Sequence, residues 1–132
     1  YILDEVYYQK KLLNTDISNL LKQHDVTEVV YADSAEPKSI AELRTYRHNV
    51  LPYTKGKDSI VYGINLINQN KIFVTSRSKN LIKELQSYTW MKDREGNTIN
   101  KPIDAFNHCV DAARYAISSQ LKNPNKGKYF IR

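Results

Sequence analysis

The chain is 132 residues long, with 41% hydrophobic and 26% charged residues and a formal net charge of +6. This length fits one domain with one hydrophobic core, and no apolar run approaches the roughly 20 residues that a membrane-spanning helix needs. Its single cysteine, Cys109, excludes an intrachain disulfide and a cysteine-rich zinc site, and this usage suits a reducing cytoplasm. Because Tyr1 opens a strand-like run without an initiator Met or a signal-peptide pattern, we expect a piece of a longer protein.

The charged residues are unevenly distributed along the chain. Residues 1–37 carry seven acidic and three basic side chains, whereas residues 38–83 carry nine basic and two acidic ones. A basic middle beside an acidic opening indicates a polyanionic partner next to a carboxylate cluster. An ordinary solvated surface is the alternative, and charge alone does not separate the two.

Hydrophobic periodicity predicts strands that alternate with helices. Strands are expected at residues 1–9, 26–32, 50–51 and 71–75, and helices at residues 14–24, 36–46, 58–69, 78–86 and 104–121. The strand-like arms on either side of Gly96 predict a hairpin or a long loop. We therefore expect an α/β fold, a mixed sheet flanked by helices, with one domain over residues 1–121 and a basic, flexible tail over residues 122–132.

Asp33 follows the predicted strand VTEVVYA directly. Loops at the carboxyl ends of sheet strands are where α/β proteins usually build sites. The Asp33 carboxylate is therefore a candidate catalytic group and metal ligand. Capping of the following turn is the alternative role.

The last predicted helix has two chemically different faces. At about 100° per residue, one arc of roughly 60° holds its potential metal ligands and a tyrosine, namely Asp104, His108, Asp111 and Tyr115. Apolar residues occupy the opposite side. A plain solvent-exposed face is the alternative, but this stripe has little of the Lys and Glu that such faces usually carry.

Asp33 and Asp111 together suit a metal site. A strand-end carboxylate facing a helix carboxylate is what two-metal phosphoryl transfer requires, and Mg²⁺ and Mn²⁺ prefer oxygen ligands. His108 lies three residues before Asp111, so it is a candidate to bind metal, orient a phosphate or handle a proton.

The segment TKGKDS (Thr54 to Ser59) resembles the end of a P-loop only superficially. A Walker A motif needs Ser or Thr directly after its lysine, but Asp58 follows Lys57, which excludes an ATP site. Lys55 and Lys57, placed before a helix N-terminus, remain candidate phosphate contacts, with a flexible basic turn as the alternative. Lys38, at the start of the basic segment, is a third candidate contact to DNA.

Three segments in order resemble the nuclease half of the large terminases of tailed phages: ADSAEPKSIAEL (Ala32 to Leu43), TKGKDSIVYGINLI (Thr54 to Ile67), and YTWMKDREG through PIDAFNHCVDAARYA (Tyr88 to Ala116). The resemblance implies a ribonuclease H-like fold and Mg²⁺- or Mn²⁺-dependent endonucleolytic cleavage of concatemeric double-stranded DNA. It further implies an N-terminal ATPase domain, the small terminase subunit and the portal as partners. The implied location is the host cytoplasm and, transiently, the procapsid portal.

The same resemblance implies roles for individual residues. Large terminases carry three acidic residues at the metal site; Asp33 matches the second, Asp111 the third, and His108 the histidine of that motif. The first acid lies on a strand upstream of Tyr1, so we expect an incomplete two-metal site and poor cleavage by this chain. Two alternatives are a non-catalytic nucleic-acid-binding module and another ribonuclease H-like nuclease, such as a resolvase or integrase core.

Overall fold

The computed structural model describes residues 1–56, 59–88, 90–103, 107–122 and 129–131. Its strands are β1 (Ile2–Leu3), β2 (Val30–Asp33), β3 (Val50–Tyr53), β4 (Phe73–Val74), β5 (Trp90–Lys92), β6 (Thr98–Pro102) and β7 (Tyr129–Ile131). Its helices are α1 (Asn14–Gln23), α2 (Pro37–Thr45), α3 (Ser59–Gln69), α4 (Lys79–Ser87) and α5 (His108–Lys122). The predicted alternation of strands and helices is confirmed, with boundaries that differ by a few residues.

Strand β2 is the centre of a three-stranded parallel sheet in the order β3-β2-β7. Val30 lies opposite Val50 on one side and opposite Tyr129 on the other. All four residues of β2 are buried, as expected for a parallel strand covered on both faces. The strand therefore carries its last residue, Asp33, into the interior of the protein.

Strand β7 corrects the prediction that residues 122–132 form a flexible tail. Tyr129–Ile131 pair in parallel with β2, and Ile131 packs against the hydrophobic core. The triplet Tyr-Phe-Ile consists of strong β-formers. The prediction of a flexible tail relied instead on the lysines and the Asn-Pro-Asn sequence that precede this triplet. Residues 123–128, where that part of the prediction falls, lie outside the described residues.

The hydrophobic core lies between β2, β3 and the first two helices. Its buried members are aliphatic side chains of these four elements, namely Leu21, Val30, Ala32, Ile40, Leu43 and Val50. Full burial of one such large side chain contributes roughly 1.5–3 kcal/mol. This core fixes β2 and β3 side by side, so the loops that follow both strands emerge at the same edge of the sheet.

The opening strand is shorter than the predicted range of residues 1–9. β1 ends at Leu3 and pairs in parallel with β4 in a separate two-stranded sheet. The strand pairing ends directly afterwards, because the next two residues contact the region around α4. The Asp4 carboxylate pairs with Arg77, and the Glu5 backbone N–H donates to Ser78 Oγ at 2.8 Å. β-propensity predicted a continuous strand, whereas these polar contacts to the region around α4 end it.

The predicted hairpin around Gly96 is confirmed, since β5 and β6 pair antiparallel. Gly96 has a φ of 85°, the left-handed conformation that favours glycine in a tight turn. The antiparallel pairing of the predicted mixed sheet thus occurs in a hairpin separate from the parallel sheet. Among the described helices, none is long and apolar enough to cross a membrane.

Helix α5 is buried on nearly all sides, because α3, α4 and β7 pack around it. Val110, Ala113 and Ile117 of its apolar face are buried as predicted. Asp111 and Tyr115 of its polar stripe are buried too, so the plain solvent-exposed face is excluded for them. The predicted stripe member Asp104 lies outside the described residues.

Candidate active site

Asp33 ends β2 and is only 5% exposed. Its Oδ1 accepts the Ala35 N–H at 2.9 Å, which fixes the turn after the strand. Its Oδ2 accepts a hydrogen bond from the Lys55 ammonium at 2.9 Å. Capping of the turn and metal binding are therefore compatible roles for Asp33, because Oδ1 stabilises the turn while Oδ2 faces the loop that follows β3.

Asp111 lies in the first turn of α5 and is also 5% exposed. Its Oδ1 accepts a hydrogen bond from the guanidinium of Arg114, three residues later, at 2.6 Å. Arg114 is itself 2% exposed. The buried Asp111 carboxylate and Arg114 guanidinium stabilise each other, because an isolated charge in the interior of a protein is costly.

Tyr115 brings the two carboxylates into one environment. Its hydroxyl donates to Asp33 Oδ2 at 3.4 Å, and its ring stacks on Tyr53 with the centroids 4.2 Å apart. Asp111 lies one helical turn before Tyr115, on the same face of α5. Burial raises the pKa of Tyr115, the Lys55 ammonium acts to lower it, and the Asp111 and Asp33 carboxylates both raise it further.

The side-chain cations also meet at this tyrosine. Lys55 Nζ lies 5.8 Å and the Arg114 guanidinium 5.1 Å from the centroid of the Tyr115 ring. Partial burial acts to lower the pKa of Lys55, but the hydrogen bonds to Asp33 and Tyr115 outweigh that effect and the pKa is raised. Two cations thus lie beside the ring of buried Tyr115, and its hydroxyl donates to the Asp33 carboxylate.

Arg114 reaches Asp111 past a glycine of α3. A Cβ built on Gly63 would lie 2.1 Å from Arg114 Cγ and 2.3 Å from Cδ, closer than any side chain tolerates. The absence of a side chain at Gly63 therefore makes the space for the arginine stem. Arg114 Nε is buried and has no hydrogen-bond partner among the described residues.

His108 is the first residue of α5 and is exposed. Its ring lies 6.5 Å from the ring of Tyr8, centroid to centroid. It is one turn before Asp111, as the sequence predicted, on the part of the helix that faces the segment after β1. Its role at a site formed by Asp33 and Asp111 stays a prediction.

The three lysines predicted to contact DNA lie in different surroundings. Lys55 forms the ion pair with Asp33, while 40% of its side chain stays exposed. Lys38 is exposed in the first turn of α2. Lys57 lies outside the described residues. The sequence predicted that Lys55 contacts a phosphate, and it did not indicate the ion pair between Lys55 and Asp33.

A second pair of carboxylates lies at the start of α4 and α5. Glu5 accepts the Leu81 N–H at 2.8 Å, and buried Glu84 accepts the N–H groups of Cys109 at 2.6 Å and Val110 at 3.1 Å. The first N–H groups of a helix lack partners within the helix, and its N-terminus favours negative charge. Both glutamates therefore cap helices. Glu5 also donates its N–H to Ser78, which ties it to α4.

Asp33 and Asp111 fit a divalent cation by the chemistry of their donor atoms. They are hard oxygen ligands of the type that Mg²⁺ and Mn²⁺ prefer, and each is already balanced by a positive side chain. Among the described residues, no group of three or more His, Cys, Asp or Glu side chains is arranged to hold a metal ion. The role of Asp33 and Asp111 as metal ligands stays a prediction.

The fold and the two buried aspartates define an α/β domain with a carboxylate site at the end of a central parallel strand. Residues 1–119 match the family model described as the terminase RNase H-like domain. The chain belongs to this family. The predicted resemblance to the nuclease half of large terminases is thereby confirmed, and so is the ribonuclease H-like fold.

Individual relatives agree with the family. The large terminase subunit of Bacillus phage SPP1 is 28% identical over an alignment of 126 residues, and the match covers 92% of this chain and 30% of the relative. The PBSX phage terminase large subunit of Bacillus subtilis strain 168 is 32% identical over an alignment of 113 residues, and the match covers 84% of this chain and 26% of the relative. The chain therefore spans under a third of the length of these relatives.

The fold also matches a solved structure. The crystal structure of the nuclease domain of the SPP1 large terminase, with bound Mn, superposes with a TM-score of 0.73 at 25% sequence identity. The match covers 83% of this chain and 65% of that one. The alternatives of a binding module or of a resolvase or integrase core are not favoured by these relatives.

Proposed function

We propose that this domain hydrolyses double-stranded DNA with a divalent metal, as the nuclease part of a phage large terminase. The observation that carries the proposal is that Asp33 and Asp111 are buried carboxylates from separate elements, each held by a cation, and that both raise the pKa of Tyr115. The SPP1 nuclease domain that this chain resembles has Mn bound. Either Mn²⁺ or Mg²⁺ suits the two aspartates.

In this proposal Asp33 and Asp111 hold the metal through their carboxylate oxygens. A bound divalent cation supplies charge that activates water and stabilises the leaving oxygen of the phosphodiester. The Tyr115 hydroxyl, which donates to Asp33 Oδ2, orients that carboxylate. His108, exposed one turn before Asp111, is placed to move a proton or to contact a phosphate.

DNA would approach over the loops at the carboxyl ends of β2 and β3. A shallow open cleft beside Asp33 is lined by residues of these loops and of α2, including Ser34, Arg44, Thr54 and Lys55. Lysines of the basic segment contact phosphates without reading sequence, and Lys38 and Lys57 belong to this group with Lys55. The proposed substrate is concatemeric DNA at packaging initiation and termination.

The partners and location follow from the same proposal. As part of a large terminase, the domain would act with an N-terminal ATPase domain, the small terminase subunit and the portal. It would work in the host cytoplasm and, transiently, at the procapsid portal. Weak cleavage by this chain on its own stays an expectation, which the nicking assay tests.

Metal binding is the direct test, since it does not depend on turnover. Isothermal titration of Mn²⁺ should show binding to the wild type that Asp33→Asn and Asp111→Asn each weaken by about tenfold or more. Asp25→Asn is the matched control, because Asp25 is exposed and has a φ of 51°, a conformation that Asn accepts. Anomalous scattering from crystals soaked in Mn²⁺ should place the ion between Asp33 and Asp111.

Two outcomes would count against the enzyme. Mn²⁺ affinity that is equal in the wild type and in both aspartate variants would remove the proposed site. Duplex DNA binding that persists without such a metal site would favour the non-catalytic nucleic-acid-binding module. Nicking of supercoiled plasmid, assayed with Mn²⁺ and with Mg²⁺, should be lost in both aspartate variants and kept in Asp25→Asn.

A further inference from the structure

The two cations of the site differ in their freedom to move. Arg114 is 2% exposed, and its stem is enclosed against Gly63. Lys55 lies in the loop after β3, and 40% of its side chain is exposed. A lysine ammonium on a flexible, partly solvated stem can exchange its partner for water or another anion at little cost. Of these two cations, only Lys55 is placed to leave its carboxylate.

The oxygen that Lys55 holds is the one directed toward the site. Asp33 Oδ1 is engaged by the Ala35 N–H in the turn, whereas Oδ2 receives both Lys55 Nζ at 2.9 Å and the Tyr115 hydroxyl at 3.4 Å. A metal ion bound by Asp33 at Oδ2 would occupy the position of the ammonium. Two positive charges at one carboxylate oxygen repel each other, so the ion and Lys55 compete.

We propose that Lys55 is a built-in counter-cation of Asp33 that a divalent metal must displace, and that the displaced ammonium then contacts a DNA phosphate. The proposal rests on the proposed metal site and adds a coupling between metal loading and DNA binding. Lys55 lines the open cleft beside Asp33 together with Ser34 and Thr54, so the released ammonium remains next to the surface that DNA would approach. Lys55 thereby pairs first with the Asp33 carboxylate and then with a DNA phosphate.

The first test compares Mn²⁺ affinity, by isothermal titration, between the wild type and Lys55→Met. Met keeps the length and apolar packing of the stem and removes the competing charge. We expect Lys55→Met to bind Mn²⁺ about fivefold more tightly. Lys22→Met, which removes an exposed charge from α1, is the matched control and should leave the affinity unchanged. Lys55→Gln should reproduce the result with a polar side chain.

The second test measures the salt dependence of binding to a short duplex. Each phosphate contact contributes about one unit to the slope of log affinity against log salt. Without metal, wild type and Lys55→Met should have equal slopes, since Lys55 is held by Asp33. With Mn²⁺ present, the wild-type slope should exceed that of Lys55→Met by about one.

The outcomes separate this proposal from the proposed function. If Lys55→Met binds Mn²⁺ as the wild type does, or more weakly, while Asp33→Asn still weakens binding, the metal site stands and the competition is refuted. If Mn²⁺ binds neither the wild type nor Lys55→Met, the metal site itself is refuted and the competition with it. Slopes that differ between the two proteins already without metal would show that Lys55 contacts DNA independently of Asp33.

Discussion

Among the described residues, two pairs of carboxylates near α5 are neutralised by different means. Asp33 and Asp111 are held by the side-chain cations Lys55 and Arg114. Glu5 and Glu84 are held by backbone N–H groups at the N-termini of α4 and α5. One member of each pair lies at the first turn of α5: Asp111 belongs to that turn, and Glu84 accepts hydrogen bonds from its N–H groups.

The difference separates carboxylates available for chemistry from those committed to the fold. Backbone donors at a helix terminus move only with the helix, so Glu5 and Glu84 would leave helix N–H groups without an acceptor if they bound another cation. A side-chain cation can be exchanged for another cation without disrupting secondary structure. The buried carboxylates with side-chain partners are therefore the candidates for metal binding, and burial alone does not distinguish them from the helix caps.

The largest expected effect concerns Asp111. Asp111→Ala leaves the buried Arg114 guanidinium without its carboxylate, which should lower the free energy of unfolding by about 3–5 kcal/mol in urea denaturation. The double variant Asp111→Ala/Arg114→Met removes both charges and should recover most of the loss. A single variant as stable as the wild type would mean that Arg114 does not depend on Asp111.

Glu84 should show a smaller but clear effect. Glu84→Ala leaves the N–H groups of Cys109 and Val110 without their acceptor, at a cost of about 2–3 kcal/mol in the same assay. Glu84→Gln keeps an acceptor oxygen and loses only the interaction of its charge with the helix dipole, so about 1 kcal/mol is expected. Equal losses in the two variants would contradict the capping role. Mn²⁺ affinity should be weakened far less by Glu84→Gln than by Asp33→Asn.

Gly63 links the first pair of carboxylates to the packing of α3. Gly63→Ala forces the Arg114 stem to shift, and overpacking of this kind costs roughly 1–3 kcal/mol, of which better helix propensity offsets about 1 kcal/mol. We expect a net loss of about 1 kcal/mol by urea denaturation. Gly56→Ala is the matched control and should be nearly neutral, because a Cβ there meets nothing within 4 Å.

The fold was largely predictable because its elements have clear hydrophobic periods. The β2 run and the amphipathic stretches of α1 and α2 indicate the core directly. The sequence could not indicate where β1 ends, because the partners of Asp4 and Glu5 lie more than 70 residues away. It also missed β7, whose pairing with β2 is a tertiary contact of a short segment.

The candidate site was predictable only in part. The helical period placed Asp111 and Tyr115 on one face, and the strand end identified Asp33. The sequence did not indicate the cations: Arg114 falls outside the polar stripe, and its burial depends on Gly63 of α3. Lys55 was associated with phosphate by its neighbours in sequence, whereas its ion pair with Asp33 results from the parallel register of β2 and β3.

The smallest expected mutational effect is a severalfold change in the reactivity of Cys109, which lies beside Glu5 and Glu84. Burial, together with the nearby Glu84 and Glu5 carboxylates, raises the pKa of Cys109 to about 12; Sγ lies 3.9 Å from Glu5 Oε2. Since the thiolate is the nucleophile, alkylation by iodoacetamide at neutral pH should be roughly a thousandfold slower than for a free thiol.

The pH dependence of that reaction separates the two pairs of carboxylates. A folded-state pKa raised to about 12 contributes stability that is present below the ordinary thiol pKa and is lost as the pH rises toward 12. Glu84→Gln removes one negative charge beside the thiol, so the pH midpoint of alkylation should fall and the rate at a given alkaline pH should rise severalfold. Asp33→Asn removes an equal charge from the other pair and should leave the midpoint unchanged. A shift of equal size in both variants would show that the thiol responds to the net charge of the protein and not to the helix-capping pair.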